Sequence, residues 1–594
     1  MLNNLKDDIK DIISFKYGID KNIIEFQKTR KEFEGDLTLV VFPLIRIFKK
    51  SPEEICNEIG CLLSKQIMFI SSFNVIKGFL NIELNNNFWI ESIIKISKTK
   101  NYGITKKNNK SETTLVEFSS PNTNKPLHLG HIRNIVLGDS VSRIIEANGK
   151  NVKRVQIIND RGIHICKSML AWQTFGNGET PENANMKGDH LVGKYYVKFN
   201  QEYNKELAEL RGQGYSEDEC INKSKLNKEA KELLLRWESN DSEVIKLWSQ
   251  MNNWVYAGFN ETYKKLGVTF DKNYYESETY LLGKDLIEEG LKSNVFYKKE
   301  DNSVWVDLTE FGLDEKLLLR SDGTAVYITQ DIGTAIQRFK DFKFSEMVYT
   351  VGNEQNYHFD VLFKILKKLN YSWANMCHHL SYGMVDLPEG KMKSREGTVV
   401  DADELITLMK ETAKNRTVEL GKIDDFDSKD LERLYDIIAL SALKYHLLKV
   451  DPRKSMLFNP EESIDFQGNT GPFIQYTYAR IQSILKRAKM LNIDFKGLNF
   501  DNVKILSVNE KRIIDLLLKH RNNLIKSAET YSPSILCNYV YNLSKTYNSF
   551  YQEEKIFDGK NNETTSFKIA LSDMTSNIIR ESLNTLGIDV VNKM

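Results

Sequence analysis

Residues 113–131 read TTLVEFSSPNTNKPLHLGH. Thr113 to Phe118 has the composition of a strand, and Ser119 to Pro126 is a polar loop with two prolines. A helical apolar spacing begins at Leu129 and runs to the stop signal Asn148-Gly149. A second strand follows at Val152–Ile158, VKRVQII. Strand, helix and strand in such close succession form one βαβ unit, which implies a parallel sheet.

Outward from this unit the chain divides into four parts. Residues 1–105 read as a small α+β domain. Leu2–Tyr17 is an amphipathic helix, Leu37–Phe42 and Phe79–Leu84 are strands, and Ser51-Pro52-Glu53-Glu54 is a capped helix start. The polar segment Lys98–Ser111 is a linker. Residues 106–405 carry the βαβ unit, further strands at Val304–Leu308, Ala325–Thr329, Glu346–Gly352 and Thr398–Val400, and helices at Asp331–Lys340 and Tyr357–Leu369. A charged, helical insertion occupies about 175–265. Residues 406–464 read as a helical stem and 465–594 as a helical bundle.

Composition bounds the function. The chain has 594 residues, 41% hydrophobic and 27% charged, which excludes a disordered protein. With 82 Lys/Arg against 81 Asp/Glu the net charge is +1, so no global basic excess announces a nucleic-acid partner. No apolar run reaches the ~18 residues of a membrane span, and Met1–Lys10 lacks the apolar centre of a signal peptide. Six cysteines in such a length do not make a disulfide framework, so a cytoplasmic protein with reduced thiols is expected. The cysteines form no C-x-x-C pair, and Cys377-His378-His379 is read as structural, so no metal site is expected.

The loop-to-helix turn is the sharpest chemical feature. A helix N-terminus presents free N–H groups and partial positive charge, which attract phosphate. Gly130 permits close approach to the backbone. His128 and His131 share one helical face and can donate hydrogen bonds to a reacting phosphoryl group. There is no G-x-x-x-x-G-K-[ST] loop and no G-x-G-x-x-G. A second cationic stretch, LPEGKMKSREGT at 387–398, places Lys391, Lys393 and Arg395 between two glycines, suited to a triphosphate. In an open α/β sheet both stretches could meet at the C-terminal edge of the strands.

Together these features resemble the two signatures of class I aminoacyl-tRNA synthetases: Pro121–His131 resembles the HIGH motif, and Lys391–Arg395 a variant KMSKS loop. The likeness extends to the arginyl-tRNA synthetase family, through Val116–Asn122, the Y-x-T-x-D-x-G segment Tyr327–Gly333, the segment Gly468–Tyr476 and the C-terminal Gly587–Met594. It implies a Rossmann-like parallel-sheet catalytic domain, an N-terminal tRNA-contacting α+β domain and a C-terminal all-α anticodon-binding bundle. It also implies activation of L-arginine by ATP with Mg²⁺ as substrate, transfer to tRNA(Arg), a monomer without membrane association, and a first step that requires bound tRNA.

For the site, the resemblance puts ATP against His128, Gly130, His131, Lys391, Met392 and Ser394. It puts the polar head of arginine at Ser120, Pro121, Asn122 and His131, and the guanidinium at Tyr327 and Asp331, supported by Gln355. Ser394 stands where the usual second lysine would be, so Lys125, Lys391, Lys393 and Arg395 are all candidate phosphate cations. The chemistry agrees, because a guanidinium calls for carboxylates and acceptors in a fork, and Glu117, Tyr327, Asp331 and Gln355 offer an acid-lined slot.

Residues 465–594 hold 17 Lys/Arg and 13 Asp/Glu, a mild +4. They are rich in aromatics, including Phe473, Tyr476, Tyr478, Tyr539, Tyr541, Tyr547, Phe550 and Tyr551, most of them read as bundle core. The resemblance selects Phe473, Tyr476, Tyr551 and Met594 as anticodon contacts. Two alternatives are another class I synthetase or HIGH-type adenylyltransferase with a different amino acid, and an inactive RNA-binding module with a synthetase shape.

Overall fold

A computed structural model describes residues 1–30, 32–108, 110–386, 400–419, 426–496, 500, 503, 505–557 and 562–594. The loop residues Lys391, Met392, Lys393, Ser394 and Arg395 and most of the Thr398–Val400 strand lie outside the described residues.

The N-terminal part builds an antiparallel sheet of order β1-β2-β4-β3 from β1 (Glu25–Gln27), β2 (Leu37–Val40), β3 (Ile70–Ile76) and β4 (Phe79–Leu84). Helix Leu2–Tyr17 turns Leu5, Ile9 and Ile13 inward. Helix Pro52–Gln66 starts on a reciprocal Ser51–Glu54 capping box.

The centre is a five-stranded sheet of β5 (Thr113–Glu117), β6 (Asn151–Ile158), β7 (Lys272–Tyr275), β11 (Glu346–Gly352) and β12 (Cys377–Tyr382), in the order β12-β11-β5-β6-β7 with every pairing parallel. The chain leaves β5 toward β6 on one side and returns to β11 on the other, so the order reverses between β5 and β11, where open α/β folds bind ligands. Helix Leu129–Ala147 joins β5 to β6 and is buried along most of its length. Its close approach depends on Gly138, where a Cβ would lie 2.3 Å from Phe118 Cγ.

Of the further strands expected, one forms in a second sheet and one does not form. The Val304–Leu308 run does form a strand, β9 (Val304–Val306), but it lies between β8 (Phe296–Lys298) and β10 (Lys316–Leu319) in a separate antiparallel sheet. Ala325–Thr329 is not a strand: Ala325 makes an isolated bridge to Leu319, and a helix begins at Tyr327 and runs to Phe342. Its β-branched composition is overridden because Ile328, Ile332 and Ala335 continue a helical spacing into the core beneath β11.

The insertion is helical, with long helices Gly188–Gly212 and Ser242–Leu266 flanking Glu217–Lys223 and Lys225–Glu238. Beyond Asp401 the described chain is helical except for β14 (Met456–Leu457), which pairs in parallel with β13 (Val385–Asp386). Lys444 fastens the C-terminal bundle to the end of the insertion, its Nζ donating to Leu266 O (2.7 Å) and Gly587 O (2.6 Å). Tyr478, Tyr539, Tyr547 and Phe550 are bundle core.

Candidate active site

The turn after β5 is held in an unusual backbone. Ser119 and Ser120 both have positive φ, 77° and 47°, a conformation non-glycine residues adopt only when their surroundings enforce it. Those surroundings are visible. The Ser119 N–H donates to Asn134 Oδ1, its hydroxyl pairs with Tyr263 OH at 2.7 Å, and Asn134 Nδ2 donates to Thr350 O of β11 at 2.8 Å. Pro121 and Thr123 then bond to Asn159 at the end of β6, with Asn159 N donating to Pro121 O (2.9 Å) and Thr123 N to Asn159 O (3.0 Å). Asn122 is left exposed at the mouth and Ser120 half-buried.

His128 caps helix Leu129–Ala147. Its Nδ1 accepts from Gly130 N at 3.1 Å, while its own N–H donates to His131 Nδ1 at 3.1 Å. The two imidazoles thus form a capping box, with ring centroids 3.9 Å apart. Each Nδ1 is occupied as an acceptor, so each ring carries its proton on Nε2. Burial holds His128 down to about 4, with Lys125 adding, and holds His131 well below its ordinary value, with His128 and Lys125 adding. Both are neutral Nε2–H donors at pH 7. Lys125 is half-buried beside them.

The acidic side is more heavily partnered than the sequence suggested. Glu117 is buried and ion-paired with the equally buried Arg338, from the helix that begins at Tyr327. Full burial raises its carboxyl, Arg338 opposes this, and Asp331 raises it further, so Glu117 and Asp331 act on one region. Glu117, expected to face a guanidinium, thus already has a cation beside it within the protein. Asp331 Oδ2 lies 2.6 Å from His358 Nε2, which belongs to helix Asn356–Lys368 after β11. Tyr327 is 77% exposed, and Gln355, the residue before that helix, is exposed too.

Glu276, directly after β7, was not singled out from sequence. Burial pushes its carboxyl up to about 7; Arg161 opposes the shift, while Asp160 and Asp331 add to it. Its only sequence signal was its place after a strand too polar to be recognised. Arg338 and His358 had none, because their partners are distant in the chain.

Asp189, His190 and Asp403 form the one His/Asp cluster of metal-binding size among the described residues. Lys187 Nζ lies 3.1 Å from Asp189 and 2.6 Å from Asp403, and Lys265 lies 2.7 Å from Asp403. The carboxylates of Asp401 and Asp403, 3.2 and 3.6 Å from its Nε2, push His190 up to about 10. The donor set is that of an ion-pair knot tying the insertion to helix Ala402–Glu419. Cys377-His378-His379 opens β12, with His379 Nε2 3.0 Å from Val351 O.

In the C-terminal bundle, Arg480 lies between two rings, 5.0 Å from the Tyr476 centroid and 4.8 Å from that of Tyr551, and donates to Asn548. Tyr551 is half-open to solvent, Phe473 packs on Tyr541, and Met594 is half-buried.

A doubly wound sheet with a histidine-capped turn at its switch point and a helical bundle behind it defines a class I aminoacyl-tRNA synthetase. The family models agree: "tRNA synthetases class I (R), catalytic domain" matches residues 92–459, "DALR anticodon binding domain" 474–594 and "Arginyl tRNA synthetase N terminal domain" 2–84. The chain belongs to the arginyl-tRNA synthetase family. It is 53% identical to the arginine–tRNA ligase of Bacteroides thetaiotaomicron over 97% of both chains, and 51% identical to that of Flavobacterium psychrophilum over 99% of both. Its fold matches the Thermus thermophilus arginyl-tRNA synthetase with a TM-score of 0.77 at 21% identity over the full length of both chains. The Plasmodium falciparum enzyme gives the same score at 20% identity, over 100% of this chain and 99% of that one.

Proposed function

We propose that the chain charges tRNA(Arg) with L-arginine in two steps inside this crevice. The arginine carboxylate attacks the α-phosphate of ATP in line, forming arginyl-adenylate and releasing pyrophosphate. The terminal ribose hydroxyl of tRNA then attacks the adenylate carbonyl and AMP leaves. Neither step needs a side-chain nucleophile, so positioning and electrostatics carry the rate. His128 and His131 donate from Nε2 to the phosphate oxygens as negative charge builds there, and their neutrality spares the site any proton exchange. Lys125, Lys391, Lys393 and Arg395 offset the triphosphate, and Mg²⁺ enters with ATP as substrate.

Asp331 and Glu276 supply negative charge for the guanidinium, with Glu117, paired to Arg338, behind them. Tyr327 and Gln355 close the slot at its rim, and Ser120, Pro121 and Asn122 receive the α-amino end. The N-terminal domain, residues 1–105, contacts the outer corner of the tRNA. Phe473, Tyr476, Tyr551 and Met594 meet the anticodon loop, with Arg480 stacked among them. The scheme takes the chain as a monomer working in the cytoplasm, where translation occurs. Among the described residues no helix is long and apolar enough to cross a membrane.

The reading rests on the paired-imidazole cap that follows β5, with Glu117 at the end of β5 and Glu276 directly after β7 on the same edge of the sheet, both acting on Asp331. Pyrophosphate exchange into ATP tests it. Exchange should depend on arginine and on tRNA, and fall about 100-fold or more in His131→Ala. Full exchange by that variant overturns the role of the imidazoles, and full exchange without tRNA overturns the tRNA requirement.

A further inference from the structure

Arg133 lies two residues past His131 on the same helix and is only 2% exposed. Among the described residues no carboxylate is within ion-pair reach of it. Its guanidinium instead donates to three main-chain carbonyls: Met384 O (3.1 Å) through Nη1, and Pro452 O (3.2 Å) and Lys454 O (2.7 Å) through Nη2. The Tyr382 ring lies 5.9 Å from it. Burial draws Arg133 down to about 10, which still leaves it charged at pH 7. A buried cation without a counter-ion is costly, and a methionine would fill similar space without that cost. What methionine lacks is the rigid fork that spans two separate strands of chain.

Those two strands form a tight seam. Gly383 N donates to Pro452 O (2.9 Å), Met456 N to Met384 O (3.0 Å) and Phe458 N to Asp386 O (2.9 Å), and Val385 and Asp386 pair with Met456 and Leu457. A Cβ on Gly383 would lie 2.4 Å from Ser455 N. The seam ends at Asp386, where the segment holding Lys391, Lys393 and Arg395 begins. Where the described chain resumes, it is fastened to the same helix start: Leu129 N donates to Val400 O (3.2 Å) and Ala402 N to Leu127 O (3.0 Å). Both ends of the cationic segment are therefore moored to the element that carries His128 and His131, one through Arg133 and one through the backbone.

We propose that Arg133 is a positioning residue for adenylate formation, acting through the 383–386/452–458 seam to set where the cationic segment departs relative to the paired imidazoles. This rests on the reading that the cations of that segment serve the triphosphate. A misplacement of about 1 Å in such a site costs on the order of 100-fold in rate.

The test compares Arg133→Lys, Arg133→Met and Gly383→Ala in the full chain, by pyrophosphate exchange with arginine and tRNA present, alongside Lys391→Ala and Lys393→Ala. The Arg133 variants should lose about 10- to 100-fold in kcat or in kcat/KM for ATP, with arginine KM within about twofold. Arg133→Lys should retain part of the activity that Arg133→Met loses. If Arg133→Met does not fold, Gly383→Ala disturbs the same seam from its other side and should show the same split. Unchanged ATP kinetics in folded variants overturn the proposal. So does a parallel loss for both substrates that tracks the fraction of folded protein. If the lysine variants keep full activity, the reading of the cationic segment fails; if they lose it while the Arg133 and Gly383 variants do not, only the present inference fails.

Discussion

Asp331→Asn isolates the charge on which arginine selection is argued to rest. The substitution keeps shape and keeps an amide oxygen for His358 Nε2, now 2.6 Å from the carboxylate. It therefore removes the negative charge without dismantling the pair. A hydrogen bond to a charged partner contributes about 1.5–3 kcal/mol, and each 1.36 kcal/mol is tenfold, so arginine KM should rise about 10- to 150-fold. The side chain is 40% exposed, so solvent screening favours the lower half of that range. For the same reason thermal stability should hardly change. Steady-state pyrophosphate exchange with arginine and ATP varied separately is the assay, and ATP KM should stay within about twofold. An unchanged arginine KM removes Asp331 from the slot, and an equal rise in both constants means the variant disturbs the whole crevice.

Glu276 titrates near 7, and a guanidinium binds its ionised form, so arginine KM should rise up to about tenfold as pH falls from 8 to 6, and Glu276→Gln should flatten that dependence. Arg338→Met strands the Glu117 carboxyl in the core and should destabilise the fold by about 3–5 kcal/mol in thermal unfolding, with Glu117→Gln recovering part of the loss. Arg480→Ala unseats the Tyr476 and Tyr551 rings and should raise tRNA KM about tenfold or more while leaving arginine and ATP KM unchanged, as aminoacylation kinetics would show.

The βαβ unit was legible because its strands and its helix carry different periods, and β5 and β6 are covered on both faces. β7 and β12 were missed for a common reason. They are the two edges of the sheet, and the sequences KNYY and CHHLSY can stay polar where one side is open. The Ala325–Thr329 run misled because strand-like composition sat on a helix whose spacing became clear only further along. At the site, the histidine turn could be read because its parts are neighbours in sequence. The Arg338–Glu117 pair could not, since it joins elements far apart in the chain, nor could His358–Asp331, which joins two helices across β11. The positive φ values at Ser119 and Ser120 are likewise imposed by Asn134 and Tyr263 from outside the loop.

The most direct measurement offers the purified full-length chain ATP, Mg²⁺, total tRNA and each of the twenty amino acids in turn, and follows esterified tRNA. Arginine alone should be attached at a substantial rate, with lysine rejected for want of a planar fork to meet the acids. Comparable charging with any other amino acid, or none with arginine, would contradict it.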